Sequence, residues 1–339
     1  MKAIRIHAPL NLEICELPLP EQLRDDEVLI QVKAAGICGT DVHIYHGTRP
    51  NTEYPKVIGH EFAGEVVKVG AKVAGLQVGD HVAVDPVLSC GSCYACSIGR
   101  HNICSKVQCL GVHLNGGFAE YSVQPQQNVY KFSKDLSWKE LATAEPFSIA
   151  AEITWRAEIT KDDTVLIFGS GSIGLATMQV AKKLGARCLI VDILAPRLEL
   201  AKKMGADRVI NSTHEPVAEI VRQETRGTGP QVVIDAVGNP QILEEAVKLA
   251  SPAGRVMVIG FTKNPSALCQ FDITTKELEI KGSRLNAHKF PEVVQWFNNR
   301  EVQPELIVTH TFYFTEAEQA MKLIEEHPDE TCKVLLTFE

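Results

Sequence analysis

The sequence predicts an α/β protein in which a doubly wound parallel sheet accompanies a second, β-rich domain. Strands and helices alternate strictly between about residues 164 and 282, and a glycine-rich turn joins the first strand of this series to its helix. Short strands punctuated by Gly and Pro fill residues 1–130 instead. A chain of 339 residues is long enough for about two such domains.

The first strand of the alternating series leads into the most informative turn of the chain. Four apolar residues precede Gly169, Gly171 and Gly174, and an apolar face at helical spacing begins at Ile173. Glycines at a helix N-terminus let a pyrophosphate approach the backbone, where free N–H groups and the helix dipole attract it. We therefore predict that this turn, including Ser172 and Ile173, binds a dinucleotide.

The end of the next strand indicates which dinucleotide is bound. This strand, residues 187–191, is followed by Asp192 at the spacing expected of a partner for the ribose hydroxyls. A carboxylate accepts hydrogen bonds from a free ribose diol and repels a 2′-phosphate, so we predict NAD. Arg197 is near enough in sequence to leave NADP open as an alternative.

The remaining segments follow in order. In the first part we expect strands at residues 2–7, 13–16, 27–34, 64–69, 81–84 and 118–123, then helices at 137–143 and 147–158. In the alternating part we expect strands at 165–168, 187–191, 208–211, 231–236, 255–259 and 278–281, with a helix at 196–204 that starts at Pro and stops at Gly. Beyond 282 we expect helices at 291–298 and 315–326 and strands at 307–314 and 332–338.

This pattern predicts how the chain is divided. Residues 148–284 form the dinucleotide-binding domain, and residues 1–147 and 285–339 together form one catalytic domain. We expect the reaction to take place in the cleft between the two domains.

Composition excludes several classes of protein. A net charge of −8 without a Lys/Arg cluster argues against a nucleic-acid or anionic-lipid partner. No apolar run approaches the ~18 residues of a membrane span, and the first residues alternate like a strand, unlike a signal peptide. We therefore expect a cytoplasmic protein whose partner is a small-molecule substrate.

Four of the ten cysteines are crowded into one Gly- and Ser-rich loop. Cys90, Cys93, Cys96 and Cys104 have gaps of two, two and seven residues. Four thiolates this close can enclose one tetrahedral zinc and leave no position for water, which is typical of a structural site. An iron–sulfur cluster is the alternative, although the last gap and the absence of Pro after Cys104 do not match the ferredoxin pattern.

A second set of ligand-type residues is dispersed. Cys38 lies in the segment Gly-Ile-Cys-Gly-Thr-Asp-Val-His, His60 and Glu61 follow a glycine, and Glu145 precedes a proline. A thiolate, an imidazole and one or two carboxylates are ligands of a catalytic zinc that keeps a position open. Spacing alone leaves a purely structural role for these residues open, since a His beside a Glu is more often structural.

These motifs resemble those of the zinc-containing medium-chain dehydrogenase family. The resemblance rests on Gly-His-Glu at residues 59–61 with Gly64, Gly70 and Val73, on the four-cysteine loop, and on the glycine turn with Asp192. It extends from residue 2 to residue 338. It implies a GroES-like catalytic domain, a Rossmann domain, two zinc ions per chain and a homodimer or homotetramer.

An acid at Glu145 is similar to the polyol and threonine dehydrogenases of that family, whereas the classical alcohol dehydrogenases have cysteine there. The resemblance leaves open whether Glu61 or Glu145 ligates the catalytic zinc. It also implies that Thr40 and His43 form a proton relay. Further phrases, such as Glu-Pro-Phe at 145–147 and Ser-Arg-Leu-Asn-Ala at 283–287, are similar to bacterial starvation-sensing-type and sugar-acid 5-dehydrogenases.

The resemblance therefore implies NAD-dependent oxidation of a sugar acid such as L-gulonate or L-galactonate at C5. A polyol or L-threonine dehydrogenase is the alternative enzyme, and a non-enzymatic NAD-binding regulator is the alternative class. Arg284 follows the sixth strand and has three open roles: support of cofactor or metal, contact with a substrate carboxylate, or a surface ion pair. Weaker candidates for the same region are Asp235, Gly238, Asn286 and His288.

Overall fold

The computed structural model describes residues 1–20 and 22–339, which divide into two compact units. Met1–Ser148 and Leu285–Glu339 form the first unit, and Ile149–Arg284 form the second. The first unit is therefore assembled from both ends of the chain.

The first part of the chain is rich in short strands. They are β1 (Lys2–Ala8), β2 (Asn11–Glu16), β3 (Glu27–Ile37), β4 (Lys56–Val57), β5 (Glu61–Val69), β6 (His81–Val84), β7 (Val87–Leu88), β8 (Gln108–Cys109), β9 (Tyr121–Pro125) and β10 (Val129–Lys131). The helices are α1 (Gly39–Tyr45), α2 (Tyr94–Ser97), α3 (Trp138–Leu141) and α4 (Ala144–Arg156).

The second unit alternates strand and helix as the sequence predicts. Its elements are β11 (Thr164–Phe168), α5 (Ser172–Lys183), β12 (Arg187–Asp192), α6 (Ala195–Lys203), β13 (Arg208–Asn211), α7 (Val217–Glu224), β14 (Val232–Asp235), α8 (Pro240–Leu249), β15 (Arg255–Val258), α9 (Gln270–Lys276) and β16 (Glu279–Gly282). The strands are parallel in the order β13-β12-β11-β14-β15-β16. This order reverses beside β11, so the glycine turn lies at the topological switch point where doubly wound sheets bind ligands.

The C-terminal segment returns to the first unit. It contains α10 (Phe290–Asn298), β17 (Val308–Tyr313), α11 (Ala317–Glu326) and β18 (Lys333–Thr337). The main sheet of this unit has the order β10-β6-β5-β3-β18-β17, and β9 also pairs with β3. The last strand of the chain, β18, lies antiparallel beside β3. A smaller sheet has the order β2-β1-β4, and β7 pairs with β8.

Each unit has its own apolar core. Fully buried Phe62, Phe118 and Phe314 pack in the core of the first unit, and Leu166 and Leu189 from the parallel strands pack in that of the second. Burial of one such side chain contributes roughly 1.5–3 kcal/mol. Among the described residues, no helix combines the length and apolar character needed to cross a bilayer.

The predicted α/β class is confirmed, and most predicted segments match an observed element within a few residues. The helix α1 is absent from the prediction because Gly39, Thr40 and Asp41 are poor helix formers. Its start is stabilised locally, since the Cys38 N–H donates to Asp41 Oδ2 at 2.9 Å. The short strands β4, β7, β8 and β10 span two or three residues each, too few to show an alternating pattern, and are likewise absent from the prediction.

Candidate functional site

Two neighbouring strands of the first unit bring the dispersed ligand-type residues together. Cys38 directly follows β3, and His60 and Glu61 stand at the start of β5, which pairs with β3. The ligand atoms of these three side chains all lie within 4.8 Å of one another. The structure thus assembles a thiol, an imidazole and a carboxylate from residues 23 positions apart in sequence.

Two of these three side chains are buried. His60 is 7% exposed and Glu61 is 1% exposed, whereas Cys38 is half-buried. The Glu61 carboxylate lies directly against β3, because a Cβ at Gly36 would be only 2.2 Å from Glu61 Oε2. Glycine at position 36 therefore makes the room in which the carboxylate sits beside its cross-strand neighbour.

Asp41 contacts the backbone at Cys38 and at Gly59, next to His60, and was not predicted as a site residue. It is fully buried, and it accepts hydrogen bonds from the N–H groups of Cys38 at 2.9 Å and Gly59 at 3.1 Å. Its Oδ1 lies 3.7 Å from His60 Nδ1. A carboxylate behind a ligating imidazole orients the ring and raises its basicity, as is common around protein-bound metals.

Lys333 on β18 is the second unpredicted residue. It is 3% exposed, its Nζ donates to Glu61 Oε1 at 2.8 Å and to the carbonyl oxygen of Ile37 at 3.2 Å, and it lies 2.7 Å from Glu61 Oε2. Burial alone would lower the pKa of Lys333, but the charges of Glu61 and Cys38 outweigh it and raise that pKa. Glu61 is therefore held by a charged partner from the opposite end of the chain.

The surroundings of the site favour a cation. Burial by itself lowers the pKa of His60, yet the negative charges of Asp41 and Cys38 hold it well above 6.5. Glu145, at the start of α4, is 6% exposed, and burial together with Glu61 and Asp85 raises its pKa to about 8. Buried carboxyl groups gathered around a thiol and an imidazole fit a divalent metal, because its charge would compensate theirs.

Glu145 is placed beside this set without joining its close group. The ligand atoms within 4.8 Å of one another belong to Cys38, His60 and Glu61. The carboxyl group of Glu145 nevertheless interacts electrostatically with the set, since His60 lowers the pKa of Glu145 and Glu61 raises it.

The predicted relay residues lie on one helix. Thr40 and His43 are three positions apart in α1 and so share a face. His43 Nδ1 is 2.9 Å from Thr48 Oγ1, and the Thr48 hydroxyl donates to the His43 carbonyl oxygen at 3.3 Å. Because that hydroxyl has one proton, we infer that Nδ1 donates to Oγ1 and that Nε2 is left to accept a proton.

The four-cysteine loop closes into a second ligand set. The Sγ atoms of Cys90 and Cys104 are 3.4 Å apart and those of Cys93 and Cys96 are 3.5 Å apart. A tetrahedron with Zn–S bonds of about 2.3 Å requires S–S distances near ~3.8 Å. The N–H groups of Cys96 and Ser105 lower the pKa of Cys93 to about 5, which favours the thiolate that a metal needs.

The glycine turn of the second unit has the geometry expected of a dinucleotide site. Gly169 has φ +99°, and a Cβ at Gly174 would be 1.9 Å from the Gly169 carbonyl oxygen. Gly171 is the N-cap of α5, so Ser172 and Ile173 occupy its first turn. The backbone N–H groups of this turn are therefore available to phosphate oxygens.

Asp192 ends β12 next to this turn. Its Oδ2 accepts from the Ser170 N–H at 2.7 Å and from the Ser170 hydroxyl at 2.6 Å, and its Oδ1 accepts from the N–H groups of Ile193 and Leu194. These bonds fix the carboxylate at the strand end. The Arg197 guanidinium also reaches the turn, since its Nη1 is 3.7 Å from the position of a Cβ on Gly171.

The remaining candidates have different surroundings. Arg284 is an exposed residue at the end of the second unit. Asp235 accepts from the N–H of Gly238 at 2.9 Å beyond β14, which is a turn contact. Asn286 is fully buried and donates to Asp85 Oδ1 at 3.2 Å, and the His288 ring stacks 3.9 Å from that of His101.

Sequence reasoning could have found one of the two missed residues. Asp41 lies three residues after Cys38, within the capping distance of a helix start, and this spacing is a recognisable signal. Lys333 gives no signal, because its role depends on β18 returning beside β3.

With this geometry established, comparison with known proteins defines the class. Residues 24–134 match the alcohol dehydrogenase GroES-like domain, and residues 172–299 match the zinc-binding dehydrogenase domain. The fold is that of the two-domain alcohol dehydrogenases, with a GroES-like domain and a parallel-sheet Rossmann domain.

Three relatives extend over nearly the whole chain. The starvation-sensing protein RspB of Escherichia coli K12 is 46% identical, covering 100% of this chain and 99% of RspB. The sorbitol dehydrogenase of Bacillus subtilis is 35% identical over 99% of this chain and 97% of its own. The L-galactonate-5-dehydrogenase of E. coli K12 is 33% identical over 95% and 94%. The solved structure of rspB from E. coli CFT073, complexed with NADH, has a TM-score of 0.94 at 46% identity and covers 100% of this chain and 99% of its own.

The chain belongs to the zinc-type medium-chain alcohol dehydrogenase family. The predicted family, fold class and dehydrogenase activity are thereby confirmed, and both predicted ligand sets have the geometry to hold zinc. The substrate is defined only as far as an alcohol or polyol of the kind that this family oxidises.

Proposed function

We propose that the protein oxidises a secondary alcohol of a sugar acid with NAD, at C5 of a hexonate such as L-gulonate or L-galactonate. The observation that carries the proposal is the buried group of Cys38, His60 and Glu61 with Glu145 nearby. Likeness to an L-galactonate-5-dehydrogenase supports the choice of a hexonate.

The ligand roles follow from the chemistry of the side chains. Cys38 and His60 would hold the catalytic zinc, with Glu61 or Glu145 as the carboxylate ligand. When bound, zinc supplies Lewis acidity that lowers the pKa of an alcohol hydroxyl. Lys333 offers Glu61 an alternative partner, so this carboxylate stays compensated when it does not ligate.

The substrate proton needs a path to solvent. We assign this path to Thr40 and His43, which share a face of α1, and the lone pair on His43 Nε2 suits the role of acceptor. His43 is exposed and can pass the proton to water.

NAD is the proposed cofactor of the Rossmann unit. Gly169, Gly171 and Gly174, with the N–H groups of Ser172 and Ile173, would bind the pyrophosphate, and Asp192 would accept from the ribose. Arg197 near the turn is a further contact for the adenosine half. In this proposal residues 148–284 are the NAD-binding domain, and residues 1–147 and 285–339 are the catalytic domain.

The test is oxidation of a substrate panel by zinc-loaded protein with NAD. We expect turnover of L-gulonate or L-galactonate to exceed that of sorbitol and L-threonine, and we expect two zinc ions per chain by elemental analysis. Turnover of sorbitol or threonine without activity on any hexonate would replace the substrate class and leave the zinc dehydrogenase intact.

A polyol dehydrogenase is the second candidate, because likeness to the Bacillus sorbitol dehydrogenase extends over 99% of this chain. Arg284 offers a way to separate the two. If its guanidinium binds a hexonate carboxylate, Arg284→Ala should weaken hexonate binding by about 1.5–3 kcal/mol and so raise KM for the hexonate. The same substitution should leave KM for an uncharged polyol unaffected. Equal loss for both substrates would assign Arg284 to the cofactor or the metal environment.

We further propose that the protein is a cytoplasmic homodimer or homotetramer, as its family resemblance implies. Size-exclusion chromatography with light scattering measures this directly, and a monomer would contradict it.

A further inference from the structure

A cavity of about 690 Å³ lies beside the four-cysteine loop in the first unit. Its walls come from the segment before β4, from the β7–β8 ribbon and from the turn at residues 112–113. This volume is in the range of roughly 300–1,000 Å³ that small organic ligands occupy. Cys90 of the four-cysteine loop is part of the lining, but no role assigned above uses the space itself.

Lys56 is the unusual residue in the wall. Its side chain lines the cavity although the residue is only 7% exposed. Its Nζ donates to the His113 carbonyl oxygen at 2.7 Å. Within residues 1–20 and 22–339, no carboxylate lies within ion-pair distance of this ammonium group.

This environment favours an anion in the cavity. An ammonium group carries three N–H donors, and a buried one without a counter-ion is costly. Lys333, the other deeply buried lysine described above, is paired with Glu61. Lys56 has a neutral carbonyl as its hydrogen-bond partner, which leaves its ammonium group without a direct counter-ion and open to a negative group of a ligand.

The rest of the lining limits the kind of anion. Glu53 adds negative charge, while Lys106 adds positive charge beside Cys104, to whose Sγ its N–H donates at 3.2 Å. One buried cation among these groups suits a single negative charge better than a doubly charged phosphate. Asn51, Ser89 and Gln108 offer amide and hydroxyl groups to a hydroxylated chain.

We propose that this cavity binds the carboxylate of a polyhydroxy acid through Lys56. The acid is either the substrate itself or a separate molecule of the same chemistry. The choice of probe rests on the sugar-acid function proposed above, but the cavity and its lysine do not.

One turn connects the cavity with the metal ligands. His113 Nδ1 accepts from the Cys109 N–H at 3.0 Å, and a Cβ at Gly111 would lie 2.5 Å from the carbonyl oxygen of Gly59, the residue before His60. Val112 and His113 of the same turn line the cavity. An acid bound at Lys56 therefore contacts the segment that packs behind His60.

The test uses isothermal titration of the zinc-loaded enzyme with L-gulonate and with uncharged sorbitol. We expect Lys56→Met to weaken gulonate binding at least tenfold and to leave sorbitol binding unchanged, while Lys56→Arg retains gulonate binding. Lys139→Met is the matched control, because this lysine is exposed on α3 and does not line the cavity, so its loss should have little effect. Circular dichroism and zinc content verify that the variants are folded.

Kinetics distinguish the two sources of the acid. If KM for gulonate rises in Lys56→Met by the same factor as the dissociation constant, the cavity receives the substrate. If KM is unchanged while a gulonate-binding site is lost, the site belongs to a separate acid, and Arg284 remains the candidate for the substrate carboxylate. Gulonate binding that is unchanged in folded Lys56→Met overturns the proposal. Lys56 would then have only a structural role, through its hydrogen bond to the His113 carbonyl oxygen.

A measurement on the unmodified enzyme covers the case in which Lys56→Met does not fold. Gulonate should shift the backbone amide resonances of Gln108 and His113 in a titration followed by NMR, and sorbitol should not. Absence of shifts would also overturn the proposal. Because binding is measured without turnover, this result is independent of whether any hexonate is oxidised.

Discussion

Buried charged side chains in this protein are stabilised by hydrogen-bond or ion-pair partners. Asp41 is fully buried and accepts two backbone hydrogen bonds, and Glu61 is paired with Lys333. Removing one member of such a pair leaves an uncompensated charge, which typically costs about 3–5 kcal/mol. These residues therefore position the metal ligands and are required for the local fold at the same time.

Asp85 is a further buried carboxyl group, and its hydrogen-bond partners are neutral. It is 4% exposed and accepts from the N–H of Val87 and from the amide of Asn286. Burial raises the pKa of Asp85 from 3.8 to about 6. The folded state thus binds this proton more tightly than the unfolded state, and stability falls as the pH rises from about 4 to 6.

Asp85→Asn should therefore stabilise the protein above pH 6, since the amide keeps an acceptor and removes the charge. A shift of about 2 pKa units corresponds to roughly 3 kcal/mol, and we expect a gain of about 1–3 kcal/mol at pH 7 and little at pH 4. Urea unfolding of zinc-loaded proteins at both pH values measures this. A gain of equal size at both would contradict the assignment to the ionised carboxyl.

In the proposed relay, the hydrogen bond to Thr48 would fix the tautomer of His43. Thr48→Val removes the partner of His43 Nδ1, so the ring can adopt the tautomer with the proton on Nε2, which cannot accept. We expect kcat to fall about tenfold, a modest part of the 10²–10⁴ that general acid–base catalysis contributes. Thr48→Ser should restore both kcat and its pH profile, and an unchanged profile in Thr48→Val would remove Thr48 from the relay.

At the scale of elements, the stability of the four-cysteine loop depends on metal binding by its four thiolates more than on packing. Its short helix α2 has no buried residue, and Tyr94 is 80% exposed. An element with so little buried surface needs another source of stability, and a metal enclosed by four thiolates supplies it. The β3–β5–β18 region differs, because its strands are held by the sheet and the core whether or not a metal is present.

Cys93→Ser should consequently lower the zinc content from two to one per chain and reduce the melting temperature, because the binding energy of a structural zinc is folding energy. Cys38→Ser should also lose one zinc but remain folded without turnover. Exposed Cys269 provides the control, and Cys269→Ser should change neither quantity. Iron in place of zinc, or one metal in the unmodified protein, would overturn the two-zinc assignment.

At the scale of the whole molecule, the chain combines a unit built from both of its ends with a parallel-sheet unit from its middle. This arrangement makes the C-terminal strand part of the metal site, since β18 supplies Lys333. It also places the two sets of candidate metal ligands on one unit and the glycine turn on the other.

In the proposed dinucleotide site, Asp192 of the second unit determines the choice of cofactor. We expect kcat/KM with NAD to exceed that with NADP at least tenfold, about 1.4 kcal/mol, because the carboxylate repels a 2′-phosphate. Asp192→Asn should reduce this preference while keeping an acceptor for Ser170. Equal use of NAD and NADP by the unmodified enzyme would contradict the role given to Asp192.

The sequence by itself determined the features that depend on local order. Alternating strands and helices after residue 164 specify a parallel sheet, and a glycine turn with an acid at the next strand end specifies a dinucleotide site. The four cysteines lie within 15 residues, so their spacing alone predicts a shared metal. In each case the interacting groups are neighbours in the chain or are related by one strand–helix unit.

Only the tertiary structure decided which distant residues meet. Lys333 reaches Glu61 because β18 pairs with β3, and Lys56 lines a cavity because the 112–113 turn covers it. Strand pairing also decides that Glu61, and not Glu145, belongs to the close ligand group, since Glu61 lies opposite Gly36 on β3. Such contacts join residues more than 50 positions apart or on different strands, and no periodicity in the chain encodes them.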